Sequence, residues 1–323
     1  MVASAMVVSA PGKLFVTGAY AVLEGAPAIV LAVDRYAHAR TDQKPASTRP
    51  EVVAIAKSLT LPVPWVDTTE LEGREGKIGI GSSAAAVVAA AGALYLRAGK
   101  DLGDPKVMHS LLRRARGAHR MVQPRGSGAD VAASALGGIV CATLRDGDVQ
   151  AERLAPSPAI MWRAFALHRP MRTSDALDRL ASRNVMTSTR KAMAHIAAAA
   201  DEGARAFRAN DPGALVSAVL AHVAGLGLLG AALDLPLLPP EIDRARDVLG
   251  MGKMPSHNAN YALLPSGAGG GDTVLWLGAR APTEHETLAL AGVGLDPLDL
   301  SLDQLGVHPS TLAAKREDAE RIR

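Results

Sequence analysis

The stretch Gly79-Ile80-Gly81-Ser82-Ser83-Ala84-Ala85-Ala86 decides the fold, because a glycine and serine turn runs directly into an alanine-rich apolar helix. The two glycines let the backbone turn tightly and approach a ligand closely. We expect Ser82 or Ser83 to cap this helix, which continues to near Gly99. The first-turn N–H groups lack partners within the helix, and the helix dipole adds partial positive charge there. The stretch therefore predicts a site for the phosphates of a nucleotide.

The length of the chain, 323 residues, predicts two domains of ordinary size. Hydrophobic residues make up 48% of the chain and charged residues 21%, which is the balance of a globular protein. The proline-rich segment Ala155-Pro156-Ser157-Pro158 interrupts the regular patterns. We therefore predict one domain over residues 1–155 and a second over residues 156–323.

The charge balance favours small anionic partners. Lys and Arg number 35 and Asp and Glu 32, a net charge of +3 without a concentrated basic tract. Aromatic residues are only 3%, which leaves few rings to stack on nucleic acid bases, so no nucleic acid partner is predicted. The single cysteine, Cys141, rules out an intrachain disulfide and predicts a cytoplasmic, reducing location. The first residues lack the pattern of a signal peptide.

One apolar stretch is almost long enough to span a bilayer. Residues 213–233 contain no Lys, Arg, Asp or Glu. Asn210, Asp211 and Pro212 before it form a helix-start signal, with proline at the first helical position. Because glycines, a serine and a histidine also interrupt the stretch, we predict a buried core helix and no membrane partner.

Strand and helix patterns alternate along the chain. Strands are expected at residues 5–9, 13–17, 28–33, 35–40, 139–144, 149–154, 160–168, 261–264 and 273–277, and a loop at 41–50. Helices are expected at residues 104–123, 173–210, 211–233 and 241–249, and a short one is expected after the glycine loop at residues 125–130, ending at Gly137-Gly138. A capping box at Thr283-Glu284-His285-Glu286 starts the last helix.

Two further glycine loops lie far from the first. Arg125-Gly126-Ser127-Gly128-Ala129-Asp130 leads into a short helix, and Pro265 to Asp272 separates two strands. Each loop taken alone is explained by a tight turn. All three, however, carry polar groups suited to a phosphorylated small molecule, and their joint occurrence favours one shared pocket.

Two common nucleotide-binding motifs bear on the interpretation of the first loop. The phosphate loop Gly-x-x-x-x-Gly-Lys-Ser/Thr is absent from the sequence. Gly79 to Ala84 does fit the dinucleotide fingerprint, with Asp101 about twenty residues on. The preceding residues, 72–77, are not the buried strand that this fingerprint requires. A dinucleotide-dependent oxidoreductase therefore stays as an alternative from another class.

Lys13 and Asp130 are the candidate catalytic residues. A lysine ammonium close to a phosphate neutralises charge during phosphoryl transfer, although Lys13 also suits an exposed strand edge. Asp130 is placed to accept a proton or orient an acceptor, although it also suits a helix N-cap. His119 is either a half-buried structural residue or a substrate contact. His257, Asn258 and Asn260 precede the third loop without a compelling pattern.

Three segments resemble the signature motifs of the GHMP kinases, in the order found in that superfamily: Pro11-Gly12-Lys13-Leu14-Phe15 with Gly18-Ala19-Tyr20-Ala21-Val22-Leu23, Gly79 to Ser83, and Ser266 to Asp272. The resemblance spans residues 9–277. It implies an α+β protein with the GHMP kinase fold, which has an N-terminal domain like ribosomal protein S5 domain 2 and a C-terminal ferredoxin-like domain. It also implies ATP and Mg²⁺ as cofactors.

Within the superfamily the chain resembles the phosphomevalonate kinases most. Lys77-Ile78-Gly79-Ile80-Gly81-Ser82-Ser83 is similar to that branch's Lys-Tyr-Gly-Leu-Gly-Ser-Ser, and Gly126 to Ala132 to its Gly-Ser-Gly-x-Asp-Val-Ala. The resemblance implies transfer of the γ-phosphate of ATP to 5-phosphomevalonate, in a monomer or homodimer. A mevalonate kinase, or another GHMP kinase with a different acceptor, is the alternative.

The resemblance also implies roles for individual residues. Lys13 and Asp130 flank the accepting oxygen, and Ser83 lies near Mg²⁺. The ATP phosphates are held by Gly79, Gly81, Ser82, Ser83 and Ala84. The substrate is held by Tyr20, Ser127, Gly128, Ser266, Gly267, Gly269, Gly270 and Asp272.

Two positions depart from the family pattern. Ala19 stands where the family usually has glutamate, which removes a possible charge partner for Lys13. His119 stands where mevalonate kinases place a metal-binding glutamate, and imidazole suits softer metals than Mg²⁺. A binding protein on the same scaffold, without phosphate transfer, is therefore kept as an alternative.

Overall fold

The computed structural model describes residues 7–45, 49–73, 76–167, 173–183, 185–251, 260–270 and 272–310. The strands in this part of the chain are β1 (Val7–Thr17), β2 (Ala28–Arg40), β3 (Trp65–Asp67), β4 (Glu72–Gly73), β5 (Gly76–Lys77), β6 (Ile139–Arg145), β7 (Asp148–Leu154), β8 (Met161–Ala166), β9 (Tyr261–Pro265), β10 (Thr273–Gly278), β11 (Asp296–Leu298) and β12 (His308–Ser310). The α-helices are α1 (Pro50–Ser58), α2 (Ser82–Arg97), α3 (Pro105–His119), α4 (Ala129–Leu136), α5 (Thr173–Arg183), α6 (Thr187–Arg208), α7 (Pro212–Leu233), α8 (Pro240–Val248) and α9 (Glu284–Gly292). Short 3₁₀ helices lie at Ala21–Glu24 and Thr69–Leu71.

The first sheet has the order β12-β1-β2-β6-β7, with β3 also paired to β2, and every pairing is antiparallel. The prediction of two separate strands around Pro11-Gly12 is wrong, because β1 runs through both residues. The register shifts between them, since proline has no N–H to donate to the ladder. The strands predicted at residues 139–144 and 149–154 are confirmed as β6 and β7, which pair as a hairpin around Asp146-Gly147.

Helix α2 packs on the face of the first sheet and is buried along almost its whole length. The predicted serine cap is wrong. The N-cap is Gly81, whose φ of +85° turns the chain straight into the helix, and neither serine side chain caps it. Helix α1 was not predicted, and its first residue, Pro50, is the last residue of the loop predicted at 41–50.

The second sheet has the antiparallel order β11-β8-β10-β9. Strands β9 and β10 flank the third glycine loop as predicted, and the capping box of α9 at Thr283 and Glu286 is confirmed. The single helix predicted over residues 173–210 is wrong, since α5 and α6 are separate helices. In α7, Asp211 caps the start and Pro212 is the first residue, as predicted.

By length and composition alone α7 is able to cross a membrane, and it is the one such helix in the described residues. It packs against α6 and β9, and its buried side includes Leu215, Leu226 and Leu229. Buried apolar side chains on this scale are what a core helix has.

The second sheet is built from strands that follow residue 155, the predicted domain boundary. The strands of the first sheet precede residue 155 except for β12, which returns from the C-terminal half and pairs with β1. We retain residue 155 as the proposed domain boundary, with β12 crossing it.

Candidate active site

One open cleft collects residues from β1, all three glycine loops and α5. Its volume is about 750 Å³, including its open mouth. The described residues that line it are Lys13, Phe15, Ala19, Tyr20, Val22, Leu23, Gly79, Gln123, Gly126, Ser127, Asp130, Leu177, Ser266, Gly267, Ala268, Gly269 and Asp272. Segments that are distant in the sequence therefore meet around one space.

Lys13 lies on β1 beside the first glycine loop. Its backbone N–H donates to the carbonyl of Ile80 at 2.8 Å, which ties the strand to the loop. Its side chain crosses Gly81, where a Cβ would lie 2.8 Å from both Cγ and Cε of the lysine. Because Lys13 is only 9% exposed, the alternative of an exposed edge residue is wrong.

Lys13 is a buried lysine that lies near two carboxylate side chains. Burial lowers the pKa of the Lys13 ammonium, and the nearby carboxylates of Asp130 and Asp272 counteract part of that effect. The ammonium also lies 5.2 Å from the centroid of the Phe15 ring, within the range of a cation–π contact. Asp272 thus supplies a carboxylate near Lys13 although position 19 is alanine.

Asp130 is buried on α4 at the edge of the cleft. The alternative of an N-cap role is wrong, since Gly128 occupies that position with a φ of +88°. One oxygen of Asp130, Oδ1, accepts from the backbone N–H of Val131 at 2.9 Å. The carboxylate is therefore fixed at the start of a helix and lies near Lys13.

The third loop is fastened to β1 and to the first loop. The Phe15 N–H donates to Oγ of Ser266 at 2.8 Å, and the Tyr20 hydroxyl donates to the carbonyl of Ala268. Burial raises the pKa of Tyr20, so the hydroxyl keeps the proton it donates. The Thr273 hydroxyl donates to the carbonyl of Ile78. These bonds hold the loop over the cleft.

The second loop is held by an arginine that sequence reasoning missed. Arg116, on α3, donates from Nε to the carbonyl of Ser127 at 2.9 Å and from Nη1 to that of Gly147 at 2.6 Å. Its side chain also covers Gly128, where a Cβ would lie 2.6 Å from the arginine Cδ. An arginine in a helix carries no sequence signal for such a role.

The structure brings most of the predicted site residues together. Those that line the cleft are Lys13, Tyr20, Gly79, Ser127, Asp130, Ser266, Gly267, Gly269 and Asp272. Those that do not line it are Gly81, Ser82, Ser83, Ala84, Gly128 and Gly270. The latter lie in the loop backbones or the first turn of α2, where sequence reasoning does not separate backbone support from cleft lining.

Several lining residues were not predicted. They are Phe15 from β1, Val22 and Leu23 from a 3₁₀ helix, Gln123 from the loop after α3, and Leu177 from α5. They look like ordinary core or surface positions in the sequence. His257 and Asn258 lie outside the described residues, and Asn260 is exposed and does not line the cleft.

The N-terminus of α2 fits a nucleotide with its magnesium ion. Glycines with positive φ precede it, and the Ser82 hydroxyl is buried without a hydrogen-bond partner among the described residues. Ser83 is half-buried one position further on. Over the same residues, no three His, Cys, Asp or Glu side chains lie close enough to hold a metal ion. Phosphate oxygens and water would therefore supply most ligands of the ion.

Comparisons with known proteins agree with this architecture. Residues 72–138 match the family model described as the GHMP kinases N terminal domain. The fold is similar to a Lin0012 protein from Listeria innocua, with a TM-score of 0.76, 22% identity and coverage of 94% of this chain and 99% of that chain. No curated protein sequence matches the chain.

Two enzymes of known substrate also share the fold. Streptococcus pneumoniae phosphomevalonate kinase, in complex with phosphomevalonate and AMPPNP, has a TM-score of 0.73 at 17% identity, covering 92% of this chain and 99% of its own. The L. major mevalonate kinase, in complex with R-mevalonate, has a TM-score of 0.61 at 17% identity, covering 91% of each chain. The predicted GHMP kinase fold and the resemblance to this superfamily are confirmed.

Proposed function

We propose that this protein is an ATP-dependent kinase that transfers the γ-phosphate of ATP to 5-phosphomevalonate and forms 5-diphosphomevalonate. The observation that carries the proposal is the buried Lys13, held near Asp130 and Asp272 in a cleft bounded by three glycine loops. Phosphoryl transfer needs alignment and neutralisation of charge more than covalent chemistry, and this arrangement provides both.

The nucleotide is assigned to the first loop. Gly79, Gly81, Ser82, Ser83 and Ala84 form the turn and the first residues of α2, where unpaired N–H groups attract phosphate oxygens. Ser83 would help to hold Mg²⁺, and the ion would neutralise charge on the phosphates when bound. The Lys13 ammonium, next to this loop, would stabilise the charge that develops during transfer.

The acceptor is assigned to other lining residues of the cleft, namely Tyr20, Ser127, Ser266, Gly267 and Gly269. An accepting phosphate oxygen is already anionic and needs little deprotonation, so Asp130 would act through Lys13, by holding the ammonium that draws this oxygen toward the donor, rather than abstract a proton. The likeness to a phosphomevalonate kinase that holds phosphomevalonate and AMPPNP supports this choice.

Phosphorylation of a hydroxyl group, as in a mevalonate kinase, is the second candidate. Among the described lining residues Lys13 is the one cation, and it faces two carboxylates. A dianionic acceptor finds limited counter-charge there, whereas a hydroxyl acceptor would use Asp130 as a base. A binding protein without transfer remains the third reading, because position 19 is alanine.

An acceptor panel tests these proposals. The intact protein is given ATP and Mg²⁺ with phosphomevalonate, mevalonate, homoserine or a sugar, and ADP release is measured with a coupled assay. The Lys13→Met variant, assayed in parallel, controls for contaminating kinases. Turnover with phosphomevalonate alone supports the main proposal, and turnover with mevalonate alone supports the second. ATP binding without turnover on any acceptor would favour the binding protein.

A further inference from the structure

His119 is a buried histidine whose ring faces the candidate catalytic carboxylate. It is the last residue of α3 and is only 3% exposed. Its Nδ1 atom lies 3.9 Å from Oδ2 of Asp130. The other ring nitrogen, Nε2, is buried without a hydrogen-bond partner among the described residues. The histidine does not line the cleft, so it reaches the reaction only through Asp130.

The two oxygens of the Asp130 carboxylate have different surroundings. Oδ1 accepts the Val131 N–H at 2.9 Å, whereas Oδ2 is the oxygen that faces the imidazole. A carboxylate held at one oxygen still rotates, and a donor at the second oxygen would stop that rotation. The distance of 3.9 Å exceeds a hydrogen bond by about 1 Å, and such contacts often tighten when a substrate binds.

We propose that His119, with a proton on Nδ1, is a positioning residue that holds the Asp130 carboxylate in its productive orientation beside Lys13. The tautomer follows from the surroundings, because Nδ1 faces an acceptor while Nε2 faces none in the described residues. The rate part of this inference rests on the proposed kinase reaction.

A double-mutant cycle separates positioning from simple packing. His119→Leu removes the donor, and we expect kcat to fall about tenfold, since small misplacements of a catalytic group are costly. His119→Asn keeps an N–H close to the Nδ1 position and is expected to stay within about threefold of the wild type. In the Asp130→Asn background, His119→Leu should change kcat by less than about twofold, because the two residues act as one unit.

Two further measurements keep the test decisive. His222→Leu, which replaces another buried histidine with an unpaired ring nitrogen, controls for burial and should leave kcat unchanged. The ring ¹⁵N signals of His119 in the intact protein should report a proton on Nδ1 and should shift in Asp130→Asn. The proposal would be overturned if His119→Leu lowered kcat equally in the wild-type and Asp130→Asn backgrounds. It would also be overturned if the ring signals of His119 did not change in Asp130→Asn. An inactive wild type would count against the kinase function, and the ring signals would still decide the role of His119.

Discussion

Asp272 lies directly against Gly79, so that a Cβ built on the glycine would sit 2.2 Å from the Cβ of the aspartate. This contact joins the first glycine loop to the third. It also places the Asp272 carboxylate near Lys13, which lies beside the same loop. The two loops therefore close on each other through a position where only glycine leaves room.

We expect Gly79→Ala to disturb this closure. The φ of Gly79 is +76°, which disfavours alanine, and the new methyl group meets Asp272. Gly99→Ala is the matched control, because its φ is +71° and no atom lies within 4 Å of its Cβ. Denaturant unfolding should show a loss of about 1 kcal/mol for Gly99→Ala and roughly 2 kcal/mol more for Gly79→Ala. Similar losses in the two variants would contradict the packing argument.

Lys13→Met is expected to lower kcat by about a hundredfold or more while ATP affinity changes only severalfold. The reason is that the charge of Lys13 matters most in the transition state. Turnover and titration with a non-hydrolysable ATP analogue measure the two effects. The exposed Lys100→Met controls for the loss of a positive charge. A variant that lost ATP affinity but kept kcat would disprove this role.

Asp130→Asn should reduce turnover on the order of a hundredfold, which is the usual size of an acid–base or orienting contribution. The change keeps the shape of the side chain and the Val131 contact at Oδ1. Unfolding measurements check that the variant is folded. Near-normal turnover would remove Asp130 from the mechanism.

Tyr20→Phe removes the hydroxyl that holds the carbonyl of Ala268 in the third loop. We expect KM for the acceptor to rise severalfold, with a loss of about 1 kcal/mol in stability. Tyr95→Phe, which removes a hydroxyl hydrogen-bonded to Ser110 at 2.8 Å outside the cleft, is the control. Tyr95→Phe should lose a similar amount of stability and keep an unchanged KM. A change of KM in both variants would indicate a general loosening of the structure instead.

The pH dependence of stability should contain a contribution from His222. Full burial lowers its pKa from 6.5 to about 4. Between these values the unfolded chain binds a proton that the folded protein does not, so the free energy of unfolding falls as the pH falls. At pH 5 this loss is about 2 kcal/mol. Urea unfolding at pH 7 and pH 5 should show a smaller fall in His222→Leu, and an equal fall would refute the assignment.

Helix starts were predicted well where the signal is local. Asp211 and Pro212 before α7, and Thr283 with Glu286 before α9, are separated by at most three positions, and their side chains bond to the backbone next to them. The serine cap of α2 failed for a related reason. A glycine with positive φ makes the same turn without any side chain, and the sequence does not distinguish the two.

The cleft was predicted as one pocket, but its composition was not. The three loops could be located because glycine-rich turns are visible in the sequence. The sequence did not reveal that Phe15, Val22 and Leu177 line the cleft. It also did not reveal that Arg116 donates a hydrogen bond to Ser127. Such contacts depend on how helices and sheets pack, and many apolar or charged residues look alike before packing.

The sequence by itself determined where the chain turns, which residues are able to cradle phosphate and which superfamily the motifs resemble. These properties follow from backbone chemistry within a few neighbouring residues. The tertiary structure alone decided that Lys13 is buried, that Asp272 and Asp130 lie near it, and that His119 faces Asp130. The physical reason is that desolvation and Coulomb interaction act between groups close in space, and this proximity arises only when both sheets and their helices have packed.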